Sequence, residues 1–126
     1  MGERMSLADS HAKGNYTVGV KASIIGANVV NAAKEDLGTI EDVIIDTRTN
    51  VLAYAILSFG GFLGLGDKHF AIPWRVLDFH AAEGYAVLKL EKERLTNAPG
   101  FKTGEWPDMG DSEWVNRVDR YYGATE

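Results

Sequence analysis

The stretch "VLAYAILSF", residues 51–59, is apolar on both of its alternating sets: Val51, Ala53, Ala55, Leu57 and Phe59 on one, Leu52, Tyr54 and Ile56 on the other. Successive side chains of a strand point to opposite faces, so a strand of this kind must be buried on both. It needs a barrel or sheet interior on one side and a covering layer on the other. As a bilayer span it is far too short, since a helix needs ~20 apolar residues to cross.

The neighbouring segments are short and apolar, with turn signals between them. Ala27 to Val30 ends at the polar turn Lys34-Glu35-Asp36, and Leu37 to Ile45 resumes the pattern. Between that run and Val51 lies "DTRTN", where Asn50 is the residue suited to a positive φ, so 37–59 reads as a hairpin. The stretch "KHFAIPWRVLDF", 68–79, reads as the next strand, at an edge or bulged at Pro73, which lacks a ladder donor. "YAVLKLE", 85–91, follows a turn at 80–84 and closes the series. No long helical pattern separates these strands, so a small barrel is expected rather than a parallel α/β sheet; closure also removes exposed edges.

After Leu95 the pattern changes. Residues 96–111 read as an irregular connector, held to the barrel by Phe101, Trp106 and Met109. "DSEWVNRVDRYYG" then reads as a helix at about 112–122, with Asp111 or Ser112 as N-cap, Glu113 in the first turn and Gly123 at the stop. Trp114, Val115, Val118, Tyr121 and Tyr122 share one face. That face is expected either to cover the outer apolar side of 51–59 or to meet a second subunit or partner.

The chain has 126 residues, enough for one domain that buries roughly two-thirds of its unfolded surface. The expected division is a loose tail over 1–15, a barrel over 16–92 and an extension over 93–126. There is no cysteine, which removes disulfides and thiolate chemistry and fits a reducing, cytoplasmic compartment. A net charge of -5 is the wrong sign for binding carried by phosphate neutralisation, so nucleic acid is not an expected partner.

Four glycines crowd residues 58–66, just before Asp67, Lys68 and His69. As a phosphate loop this stretch fails, because Asp67 stands where the lysine belongs and a Pro-containing strand follows where a helix should begin. The dinucleotide pattern fails too, with His69 where the third glycine would be. A zinc site from His69, His80, Asp67 and Asp78 would need ligands converging from several elements, whereas these residues read as lying along one extended strand. Both histidines are expected at the surface or half-buried. No Ser or Cys nucleophile has an evident base, and no catalytic, cofactor or metal residue is assigned. What is left is a wide turn carrying Phe62, Leu63 and Leu65, which either close the barrel or enter a partner's surface.

Taken together, Gly26 with Val29, Leu37-Gly38 with Ile40 and Val43, Asp46, the Tyr54 to Leu57 run, Gly60-Gly61-Phe62-Leu63-Gly64, Asp67-Lys68 and Ile72-Pro73-Trp74 resemble the PRC-barrel domain over about residues 22–92. That small β-barrel occurs in the cytoplasmic part of the photosynthetic reaction centre H subunit, in the bacterial 16S rRNA processing factor and in many stand-alone bacterial and archaeal proteins. The extension resembles that of a stand-alone bacterial subgroup. Asn50 departs from the family, where a glycine is common at this place.

The resemblance implies a mainly β fold, a PRC-type barrel of about six short strands with an irregular extension ending in one helix. It also implies a non-catalytic adaptor that docks onto protein or ribonucleoprotein assemblies. Function lives in sites, so only the fold and the general adaptor role carry over. The expected partner is protein, including a second copy of the chain in a dimer. The candidate interface is Phe62, Leu63, Leu65, Asp67, Lys68, Trp74, Trp114, Tyr121 and Tyr122. Two other readings stay open: a ligand-binding or enzymatic barrel with a pocket of Asp67, Lys68, His69 and Arg75, and a peripheral partner of a membrane photosynthetic complex or of ribosomal RNA or protein.

Overall fold

Seven strands form one sheet in the computed structural model, which describes residues 17–60 and 68–124. In chain order they are β1 (Asn28–Val30), β2 (Asp36–Asp46), β3 (Val51–Phe59), β4 (Lys68–Pro73), β5 (Leu77–His80), β6 (Tyr85–Leu88) and β7 (Phe101–Lys102). Two helices complete the set, α1 (Lys92–Thr96) and α2 (Ser112–Tyr121), with a single π-helical turn at Val20–Ile24 ahead of β1. The expected tail at 1–15 lies outside the described residues, as does the segment 61–67 between β3 and β4.

The sheet order β5-β6-β1-β2-β3-β4-β7 places β4 and β5 five strand spacings apart. In a flat sheet that gap is about 24 Å. The only link between them is the 3-10 segment Trp74–Val76, which spans about 6 Å. The sheet must therefore curl on itself, and this curling is what makes a small PRC-type barrel. β1 pairs antiparallel with β2 and parallel with β6, while the other pairings are antiparallel.

The β2–β3 hairpin forms as its sequence directs. Asn50 adopts φ 61, and the Asp46 carboxylate accepts hydrogen bonds from the Arg48 N–H at 2.9 Å and from its guanidinium. Those bonds hold the Asp46 carboxyl below its ordinary range. Gly38, at φ 120, is needed for a second reason: a Cβ there would come within 2.2 Å of the Ser58 carbonyl oxygen on β3. A register shift between Ile40 and Asp42 leaves Glu41 as a bulge residue on β2.

The expected single strand over 68–79 is instead two, β4 and β5, separated by the 3-10 turn. Pro73 closes β4 opposite Tyr54, beyond the two residues, Lys68 and His69, that pair with β7. Its missing N–H thus costs no bond on that side. The last barrel strand is also shorter than expected: it stops at Leu88, and α1 follows, seating Leu95 fully buried in the interior.

β3 does bury both faces. Ala55, Leu57 and Phe59 join Leu37, Ile40, Phe70, Ile72, Ala86, Leu88 and Leu95 inside the barrel. On the other face Tyr54 and Ile56, with Ala71 of β4, pack under Trp114 and Val118 of α2. Each large aliphatic side chain buried in this way contributes about 1.5–3 kcal/mol. Asp111 sits at the N-cap of α2, and Gly123 at φ 70 ends it. In the connector, Phe101 and Met109 pack against the outer cluster, whereas Trp106 lies over Phe101 at 5.1 Å and stays 50% exposed.

Candidate functional site

The two ends of β4 define the two ends of the barrel relevant to binding. At the first, Phe59 and Lys68 flank the segment carrying Phe62, Leu63, Leu65 and Asp67, four candidate interface residues that lie outside the described residues. The Lys68 ammonium donates to the Thr96 carbonyl at 3.3 Å and stands 5.5 Å over the Phe70 ring. The Lys92 ammonium stands 5.6 Å over the Phe59 ring. A cavity of about 440 Å³ opens here, lined by Glu35, Phe59, Glu91, Lys92, Glu93 and Thr96. Charge of both signs rims this end over an aromatic floor.

The opposite end is apolar. Ile45 and Val51, at the tip of the β2–β3 hairpin, are 52% and 58% exposed. A groove of about 300 Å³ runs from Val51, Leu52 and Tyr54 to Pro73 and Trp74, with Arg75 and Asp119 at its edges. Trp74 is half-buried, tilted against Phe79 at 6.5 Å. Arg75 donates to the Ala124 carbonyl, fastening the last described residue to this end. The expected pocket of Asp67, Lys68, His69 and Arg75 is not assembled from its described members: Lys68 and Arg75 stand at opposite ends of β4, about 20 Å apart along the strand.

The aromatic face of α2 is turned onto the chain, with Trp114 buried and Tyr121 and Tyr122 half-buried. Trp114 is buried edge-on against Tyr54, ring centroids 5.3 Å apart. The Arg94 guanidinium lies 5.0 Å over the Tyr121 ring, whose hydroxyl donates to the Arg94 carbonyl at 2.5 Å. The Tyr122 hydroxyl is buried without a hydrogen bond, and burial raises its pKa. Burial, and then the nearby Asp119 carboxylate, pushes Tyr54 up to about 12; its hydroxyl lies 3.4 Å from Asp119 Oδ1.

His69 is where sequence reasoning falls short. Expected at the surface or half-buried, it is only 5% exposed. Its Nε2 lies 2.9 Å from Thr103 Oγ1, its Nδ1 3.3 Å from Glu41 Oε1, and its ring stacks on Phe101 at 5.6 Å. The signal for burial was present in the alternation of β4, since 69 shares a face with Ala71 and that face lies beneath the extension. His80 is elsewhere, stacked on Tyr85 at 4.9 Å with Asp78 3.2 Å from its Nε2. Among the described residues no group of three or more His, Asp or Glu side chains is placed to hold a metal ion, and no helix is long and apolar enough to cross a membrane.

Comparison with known proteins agrees with this architecture. No curated protein matches the chain. A similar solved structure is that of RimM from Pseudomonas aeruginosa, assigned to 16S ribosomal RNA processing, at 16% identity and a TM-score of 0.39. The match covers 57% of this chain and 43% of that one, so the shared part is less than half of RimM. The model of the PRC-barrel domain matches residues 21–95, from the π-helical turn through β6 to Leu95 in α1. The chain belongs to the PRC-barrel domain family.

Proposed function

We propose that this chain is a non-catalytic assembly module that docks protein through the end of the barrel between β3 and β4. The observation that supports this is the occupation of the outer sheet face by the chain's own α2. With Trp114 and Val118 buried there, that face is closed to a partner, and the docking role falls to Phe62, Leu63 and Leu65 on the ground of sequence, as apolar residues carried on a glycine-rich segment. Asp67 and Lys68 beside them supply polar rim contacts of the kind that set register in protein interfaces. Tyr121 and Tyr122 belong to the same proposal as half-buried aromatics at the end of α2, while Trp74, also half-buried, stands at the opposite end of β4 and would meet a partner separately.

The partner set includes a second copy of the chain, and the absence of cysteine fits work in a reducing, cytoplasmic compartment. Affinity capture with the wild type and with Phe62→Asp/Leu65→Asp tests the docking surface. Loss of a specific partner from a folded double variant is the expected result, and an unchanged catch would remove the loop from the interface. Light scattering tests self-association, with a dimer expected and a strict monomer contradicting it. Capture of RNA that weakens steeply with salt would point to phosphate contacts instead.

The groove between Val51 and Arg75 favours a second reading, a small apolar ligand held at the hairpin end. A ligand at a hundred times its Kd would stabilise the fold by about 2.7 kcal/mol in a thermal-shift screen. A broad panel without such a shift would dismiss this reading.

A further inference from the structure

Glu41, His69 and Thr103 come from three separate elements, the β2 bulge, the second residue of β4 and the turn after β7. They nevertheless meet in the order carboxylate, imidazole, hydroxyl. The hydroxyl is 2.9 Å from Nε2 and the carboxylate 3.3 Å from Nδ1. A hydroxyl within hydrogen-bond reach of a base that is in turn placed by a third group is the geometry of an activated nucleophile. The imidazole is enclosed, with 6% of its side chain exposed, while Thr103 is exposed, so the hydroxyl is where this chain of groups meets solvent.

Two details fix the roles. Glu41 approaches Nδ1 outside hydrogen-bond alignment, so it acts on the ring as a nearby charge and not as a bonded partner. Phe101, stacked on the ring at 5.6 Å, sets its plane. In the tautomer with the proton on Nδ1, Nε2 accepts from the Thr103 hydroxyl. The turn that follows is closed by the Glu105 N–H donating to the Lys102 carbonyl at 3.0 Å. Gly104, at φ 86, directly follows Thr103, and its N–H takes no part in that closing bond.

We infer that Thr103 is a reactive hydroxyl that accepts an acyl group from an activated ester, with His69 as its base and Glu41 as the charge that steadies the imidazolium. Thr103 Oγ1 bonds to the acyl carbon while its proton passes to His69 Nε2. The bond from that carbon to the leaving oxygen then breaks, and the leaving oxygen takes the proton from Nε2. The products are a Thr103 ester and an alcohol, with no redox partner required. The reaction is independent of the docking surface proposed above, and the ester persists for as long as water is kept from it.

Treatment with 4-nitrophenyl acetate, followed by release of 4-nitrophenol and peptide mass mapping, tests this on the full chain. About one equivalent released, with acetyl on Thr103, is the expected result. Thr103→Ser should retain labelling and Thr103→Val should abolish it at that position. His69→Gln should slow it about 100-fold or more, the usual weight of a general base, and Glu41→Gln by about fivefold. Circular dichroism checks that each variant is folded. Should His69→Gln fail to fold, the wild type decides alone: a hydrogen bond that only fastens the extension leaves Thr103 unacetylated, and that result overturns the inference. Labelling of Thr103 at full rate in a folded His69→Gln variant overturns it equally.

Discussion

The two faces of β3 and β4 carry two cores of different origin. The fully buried members of the inner one all fall within residues 24–98, nearly all of them within the segment shared with the PRC-barrel family, with Tyr121 and Tyr122 packed at its edge. The outer one needs Trp114, Val118, Phe101 and Met109, all beyond that segment. The family barrel thus supplies a sheet with an apolar back, and this chain brings its own cover for it. A sheet back that is already occupied is unavailable to partners, which is why docking is assigned to a barrel end.

Cutting into each core separately is the sharpest way to probe the difference. Phe70→Ala empties the largest fully buried side chain of the interior and should cost about 4 kcal/mol in urea unfolding. Trp114→Ala should cost about 3 kcal/mol, somewhat less because the outer cluster is smaller and closer to solvent. If the Trp114 variant lost nothing, the outer cluster would be a resting contact and not a core.

Smaller effects test the polar atoms of the outer layer. Tyr54→Phe removes the hydroxyl facing Asp119 and should cost about 1 kcal/mol near neutral pH. Because the folded pKa of Tyr54 is raised from 10.0 to about 12, its contribution is complete below pH 10 and is lost as pH rises toward 12. Alkaline unfolding of Tyr54→Phe should accordingly fall less steeply over that window than the wild type does. Tyr122→Phe deletes a buried hydroxyl that has no partner, so the change should lie within about 0.5 kcal/mol of zero or stabilise the protein. A loss well beyond that would show that the hydroxyl has a partner in solution.

Much of this was legible in the sequence, for identifiable reasons. The double apolar pattern of 51–59 required two cores, the i, i+4, i+7 spacing of Trp114, Val118 and Tyr121 showed what could cover the second, and Asn50 marked the hairpin. Local patterning carries that kind of information. The break of 68–79 into two strands was not visible, because a 3-10 turn at Trp74–Val76 is imposed by barrel closure and leaves no local signature beyond Pro73. The meeting of Glu41, His69 and Thr103 was hidden for a similar reason: 34 residues separate His69 from Thr103, and only the pairing of β7 with β4 brings them together. α1 escaped notice as a helix one turn long, too short for its periodicity to declare itself.

The most direct test of the outer core as an integral part of the fold is native-state hydrogen exchange, comparing the amides of Val118 in α2 and Ile56 in β3. If the barrel and its cover unfold as one cooperative unit, both amides exchange with the same opening free energy, equal to that of global unfolding. Exchange of Val118 through a separate opening, several kcal/mol below that of Ile56, would contradict it and return the sheet back to the surfaces available for partners.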